Sequence, residues 1–192
     1  MAFDEAIHYL LLAIWWGFII IWMGAALFAS RAVKRQSWSG RLVTLALGSI
    51  PFFLLFSTRL RLGVLAERLY PDRRVVAPGG LALTLAGMSL TMWARYILGR
   101  NWSAMVTIKR DHRLIRTGPY AMIRHPIYSG LLLALLGTAF VVGEVRGFLA
   151  VVFAFVAWFV KSRAEERFLR EEFGEEYEAY RRHTYAFVPY LL

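Results

Sequence analysis

The chain has 192 residues, 58% of them hydrophobic and 16% aromatic, with a mean hydropathy of +0.49 and a formal net charge of +10. Soluble domains are about 45–50% apolar, so this composition excludes an ordinary soluble fold, and the absence of cysteine excludes disulfides, thiolate metal sites and a catalytic thiol. The positive balance does not point to nucleic acid, because the basic residues cluster in loops between apolar runs, where they face anionic lipid headgroups and set topology.

Five runs carry no Asp, Glu, Lys or Arg: 7–30, 42–58, 75–94, 126–143 and 147–160. A spanning helix needs about 20 apolar residues, with a range of about 17–25. The first four runs meet or approach that length, and Arg146 and Lys161 extend the fifth by snorkelling. The expected fold is all-α: one integral membrane domain with five transmembrane helices and a cytoplasmic amphipathic C-terminal helix.

The first span is rich in aromatics, among them Trp15, Trp16, Phe18 and Trp22. Asp4 and Glu5 precede it where a cleavable signal has basic residues, so it is read as a retained helix. Pro51 is expected to kink or break the second span. The stretch 58–72 interleaves Leu60, Leu62, Leu65 and Leu69 with arginines and is expected to lie along the outer surface. Residues 1–78 thus form two helices and an outer loop, ahead of a core over 79–192.

Pro78-Gly79-Gly80 is expected to mark the start of the third span, and Gly99 its end. A basic cytoplasmic loop over 99–125 follows, and a loop that long in a compact domain is usually functional. The fourth and fifth spans form a hairpin with a tight tip near Glu144. The C-terminal helix is expected over 161–188, with Phe168, Leu169, Phe173, Tyr177 and Tyr180 near helical spacing and Gly174 as a candidate break.

Seventeen Lys and Arg fall in the loops 31–41 and 95–125 and in the tail from Lys161, against six in the remaining loops. The positive-inside rule therefore places the N-terminus outside and the C-terminus in the cytoplasm. Five arginines in 59–74 run against that bias. The basic character and the signal-free start are read as an inner or plasma membrane of a prokaryote.

The hairpin brings the start of the fourth span beside Lys161 at the end of the fifth. His112, Tyr120, Arg124, His125 and Tyr128 are thereby expected to face Lys161, Arg163, Glu165 and Glu166. Singly these residues have ordinary explanations: Tyr and Trp as interfacial anchors, Arg124 as a topology charge, Lys161 and Glu165 as an i,i+4 surface pair. Their joint appearance on one membrane face is what points to a site.

Arg124-His125-Pro126-Ile127-Tyr128-Ser129-Gly130 followed by Glu165-Glu166 resembles the RHPxYxG…EE signature of membrane methyltransferases, the isoprenylcysteine carboxyl methyltransferases and related phospholipid methyltransferases. Residues 98–103, 112–115, 118–120 and 173–177 resemble further family stretches in the same order, so the resemblance spans 80–190. It implies methyl transfer from S-adenosylmethionine to a lipophilic acceptor, an isoprenylcysteine-type carboxylate or a phospholipid amine, at the cytoplasmic face. Carried over by position, the donor would be held by His112, Arg113, Leu114, Ile115, Tyr120, His125, Pro126, Ile127, Tyr128 and Glu165. Arg124, Lys161 and Glu166 would carry the catalytic roles. Lys161 stands where the prenylcysteine branch has a substrate-facing Arg, and a lysine lacks that residue's bidentate grip.

The residue chemistry agrees with these implied roles. A sulfonium cation suits the aromatic faces of Tyr120 and Tyr128, and an ammonium suits Glu165. A carboxylate acceptor is already ionised and needs only orientation by Lys161, Arg163 or Arg124. An amine must lose a proton, to His125 or Glu166. The competing readings are a membrane reductase using NADPH and a non-enzymatic membrane protein. Two adjacent carboxylates oppose the first by repelling a dinucleotide's phosphates. No acidic residue at mid-span marks an ion path for the second.

Overall fold

A computed structural model describes residues 2–27, 48–57, 63–99 and 114–190. Helix α1 is Ala2–Ala26, α2 covers 48–56, α3 is Arg73–Leu98, α4 is Pro126–Val142, α5 is Val145–Phe173 and α6 is Glu175–Arg182. The described chain is helical throughout, joined by turns and by two short 3-10 segments, Gly63–Ala66 and Gly118–Ala121. Residues Glu5–Ala26, α3 and α5 are each long and apolar enough to cross a membrane, and α4 is a shorter apolar helix. The protein is an integral membrane protein on these grounds.

Several boundaries differ from expectation. Helix α3 starts at Arg73 rather than at Pro78, because the Asp72 carboxylate accepts from Arg74 N at 2.8 Å and caps it. Pro78 lies inside the helix, near enough to its start that only one intrahelical bond is lost. Pro51 likewise sits within helical backbone. The stretch 58–72, expected along the outer surface, lies partly outside the described residues. Its remainder is a 3-10 turn followed by bends. The C-terminal helix expected over 161–188 is divided: Lys161–Phe173 continues α5, Gly174 takes a φ of 50° that stops it, and only α6 follows.

Helix α4 is the organising element, packing against α3 on one side and α5 on another. Its contact with α3 is made by small residues. Gly80, Thr84, Gly87 and Thr91 meet Gly130, Ala134, Gly137 and Thr138, and a Cβ at Gly87 would lie 2.4 Å from both Ala134 N and Gly130 O. Backbones this close favour association where lipid offers no hydrophobic drive. The three threonine hydroxyls donate to carbonyls four residues back, so none is stranded. Trp15 of α1 donates from Nε1 to Thr138 Oγ1 at 3.0 Å, tying the first helix to this seam.

Buried and half-buried arginines close helix ends. Arg95 donates to Ala25 O at 2.7 Å and to Gly99 O at 2.8 Å, tying the ends of α1 and α3 together. At the opposite end of the bundle Arg73 donates to Val142 O at 3.0 Å, and Arg146 to Leu54 O at 3.0 Å. Carbonyls at a helix C-terminus lack intrahelical partners and carry partial negative charge, which guanidinium satisfies. The segment 67–73 also clasps the α4–α5 tip, with Leu69 N donating to Gly143 O and Val145 N to Glu67 O.

Candidate functional site

The site forms where the chain enters α4. Gly118 adopts a φ of 59°, and a Cβ there would lie 3.1 Å from Ile97 Cγ1, so both the conformation and the space suit glycine. The 3-10 turn it opens buries Tyr120 beside Ala94 and Ile127. Burial, reinforced by Tyr180 and Glu165 nearby, pushes the Tyr120 phenol up, so it remains a neutral hydroxyl. Residues 122–125 then pair, through an isolated bridge, with 185–186 from the C-terminal end of the chain. Tyr185 N donates to Met122 O at 3.0 Å, Arg124 N to Tyr185 O at 2.7 Å and His125 N to Ala186 O at 3.0 Å. Pro126 occupies the first helical position, where its missing N–H costs nothing.

Helix α5 brings two adjacent carboxylates to this corner, in different environments. Glu166 is 2% exposed and receives Arg124 Nε at 2.8 Å, with His125 Nε2 3.2 Å from the same oxygen. Its other oxygen makes no hydrogen bond, and Arg170 Nη2 stands 3.7 Å from it. Glu165 is more open, at 22%. Tyr128 donates its hydroxyl to Glu165 Oε1 at 2.6 Å, His125 Nδ1 is 3.6 Å from Oε2, and Lys161 Nζ is 4.0 Å from Oε1. Only a carboxylate that keeps accessible surface can meet a ligand. Glu165 has that surface and Glu166 is committed to internal pairing.

Aromatic rings wall the corner. Tyr128 stacks with His125 at 5.7 Å and with Trp158 at 5.9 Å, and Lys161 Nζ lies 5.5 Å from its ring centroid. The Tyr128 ring is held in this stack, with its hydroxyl serving Glu165. Below the corner, α6 buries Tyr177 and Tyr180. Tyr180 donates to Tyr120 O at 2.7 Å, and burial pushes its phenol up to about 12. Arg116 pairs with Glu176 across the same junction.

Of the residues singled out in the sequence, Arg124, His125, Tyr128, Lys161, Glu165 and Glu166 are brought together, with Tyr120 adjoining. Ile115 and Ile127 pack with Tyr120 and Ala94, so their side chains support the corner rather than line it. Pro126 starts α4 and Leu114 is half-buried in the approach. His112 and Arg113 lie outside the described residues. The sequence reasoning missed Trp158 and Phe187, and gave no role to Ser129 although it falls within the motif. Trp158 had a signal in its place one turn before Lys161. Phe187, and the tie that Ser129 makes to it, are recognisable only once the C-terminal segment is seen docked on α4.

Comparison with known proteins follows this geometry. The phospholipid methyltransferase family model matches residues 76–176. Protein-S-isoprenylcysteine O-methyltransferase B of Arabidopsis thaliana is 32% identical over 117 residues, covering 58% of this chain and 58% of that protein. The Schizosaccharomyces pombe protein-S-isoprenylcysteine O-methyltransferase is 34% identical over 122 residues, 61% of this chain and 51% of its own length. Cobalt-zinc-cadmium resistance protein CzcN of Cupriavidus metallidurans is 35% identical over 151 residues, 71% of this chain and 67% of its own. The chain therefore spans little more than half the length of the two isoprenylcysteine methyltransferases. In fold it is similar to the eukaryotic intramembrane Ras methyltransferase (isoprenylcysteine carboxyl methyltransferase), with a TM-score of 0.54 at 21% identity, covering 83% of this chain and 55% of that one.

Proposed function

The chain belongs to the phospholipid methyltransferase family, and from that premise we propose that it transfers a methyl group from S-adenosylmethionine to a lipophilic acceptor at the cytoplasmic membrane face. The observation that carries the reading is the division of labour between Glu165 and Glu166. One carboxylate is accessible and ringed by Tyr128, His125 and Lys161, while the other locks the supporting residues from beneath.

The donor set suits such a ligand. S-adenosylmethionine supplies an electrophilic methyl on a sulfonium, together with an ammonium and a carboxylate. Glu165 is the anion for an ammonium, and Lys161 the cation for a carboxylate of either donor or acceptor. Tyr128, Trp158 and Tyr120 provide apolar surface that excludes water and tolerates positive charge. The chain's task is alignment, since displacement at a methyl carbon depends on holding the reacting groups in line. A carboxylate acceptor needs no base, and Lys161 would orient it. For an amine acceptor, His125 is the group placed to take the proton, with Glu166 3.2 Å behind it. Arg124 and Glu166, given catalytic roles by resemblance, are better read as positioning residues because each satisfies the other out of solvent.

Titration calorimetry of detergent-purified protein with S-adenosylhomocysteine tests the proposal. The expected affinity is micromolar, about −8 kcal/mol. Glu165→Ala should weaken it at least about tenfold with little change in melting temperature, since Glu165 sits at a partly exposed edge. Folded wild-type protein that gives no heat of binding would sink the proposal.

A further inference from the structure

Residues 183–190 form no helix, yet Thr184 and Phe187 are buried. A segment without secondary structure of its own is held by what it touches, and here the contacts converge on the start of α4. Besides the backbone pairing with 122–125, Ser129 donates from Oγ to Phe187 O at 2.6 Å, and Arg124 Nη1 donates to Thr184 O. The segment is a strap laid across the residues that build the site.

Its anchor is one ring. Phe187 is 1% exposed. Its centroid lies 5.7 Å from His125, 6.3 Å from Tyr128, 5.8 Å from Phe155 and 6.4 Å from Phe159. It is wedged between the rings of His125, just ahead of α4, and Tyr128, in the first turn of α4, on one side and two aromatic residues of α5 on the other. The carboxylates meet His125 at its two ring nitrogens and Tyr128 at its hydroxyl, which leaves the faces of both rings to be held by packing. Phe187 is the residue that packs on both rings at once. A functional side chain holds its geometry only when packing locks its rotamer as well as its hydrogen bond.

We infer that Phe187 is a positioning residue: seated on the His125–Tyr128 pair, it holds both rings where they present Glu165 to the methyl donor, so the strap 183–190 belongs to the donor site. The inference rests on the proposed function above. It adds to the donor site a residue outside the Arg124–Gly130 and Glu165-Glu166 motifs.

The test compares S-adenosylhomocysteine binding by the detergent-purified full chain and four variants. Phe187→Ala is expected to weaken binding by tenfold or more, since about 1 Å of misplacement can cost on the order of a hundredfold. Phe187→Leu, which refills most of the volume, should stay within about threefold of wild type, because near volume-conserving apolar swaps are tolerated best. Ser129→Ala, a milder change that removes one tie, should fall between them and serves if Phe187→Ala does not fold. Phe140→Ala is the control. Phe140 packs on Phe148 at the other end of α4, 5.3 Å away, so it should lower the melting temperature without moving the affinity. Trypsin cleavage after exposed Arg182, measured without ligand, should be faster in Phe187→Ala and Ser129→Ala as the strap loosens. Wild-type affinity in Phe187→Ala, an equal loss in Phe140→Ala, or unchanged cleavage would each overturn the inference. Wild-type protein that binds no S-adenosylhomocysteine would instead remove the proposed function, with the cleavage rates still reporting on the strap.

Discussion

Glu166→Ala is expected to destabilise the protein by about 3–5 kcal/mol, the usual cost of removing one partner from a buried ion pair. For a chain of this size that corresponds to a drop of roughly 10 °C in melting temperature. Glu166 is 2% exposed and Arg124 11%, so the substitution leaves a guanidinium and the inner edge of His125 without their anion, where water does not replace it. The strap is affected as well, because Arg124 also donates to Arg181 O and Thr184 O. Thermal melts of Glu166→Ala, Arg124→Ala and the double variant give the check. The double variant should be less destabilised than the sum of the singles by about 1–3 kcal/mol, as contacting residues usually are. Strict additivity would show that the pair is not coupled. The neighbouring Glu165→Ala should show the reverse pattern, little lost in stability and much in ligand binding. Adjacent, chemically identical side chains would then separate fold from function by environment alone.

The apolar stretches of the bundle were legible because a charge-free run announces itself. Not all of their ends were. Charge marks where a chain meets water, whereas a helix continues as long as its backbone is supplied with partners. The continuation of α5 past Lys161 to Gly174 was readable in its run of good helix formers, but α3 begins at Arg73, ahead of Pro78, because Asp72 caps it. A count of arginines mixes different roles in a related way. Arg73, one of the five arginines over 59–74 that opposed the topology bias, donates to the carbonyl end of α4, and Arg146 to the end of α2. Such residues are cap donors, and a tally of positive charge cannot distinguish them from headgroup ligands.

At the site, Arg124, His125, Tyr128, Glu165 and Glu166 were legible because their chemistry is unusual at a membrane boundary. Their division into an accessible carboxylate and a buried one was not, since it depends on which face of α5 meets α4. The strap was less legible still. Thr184 to Phe187 has no periodicity, and its ladder partners lie some sixty residues earlier, at 122–125. The small residues of α3 and α4 were readable in principle. Gly80, Thr84, Gly87 and Thr91, against Gly130, Ala134 and Gly137, alternate steps of four and three as one helix face does.

That seam carries the second large expected effect. In Gly87→Ala the added methyl would sit 2.4 Å from Ala134 N and Gly130 O and 2.9 Å from Ala134 Cα. These are backbone atoms that cannot rotate away, so the helices must separate by about 1 Å to restore van der Waals distance. Overpacking of this kind costs about 1–3 kcal/mol. Here separation also breaks the close approach that holds helices together in lipid. The expected result is loss of folded protein on detergent extraction, measured by size-exclusion profile and thermal melt. Gly79→Ala and Gly17→Ala are the counterparts. Both lie in helices with nothing within 4 Å of the new methyl, and each should be neutral or stabilising by up to about 1 kcal/mol through lowered backbone entropy of the unfolded chain. Three identical changes would then differ in sign by position. A Gly87→Ala protein as stable as wild type would mean that α3 does not set the position of α4. Since His125 and Tyr128, which face Glu165, flank the start of α4, the same result would detach the site's geometry from the seam.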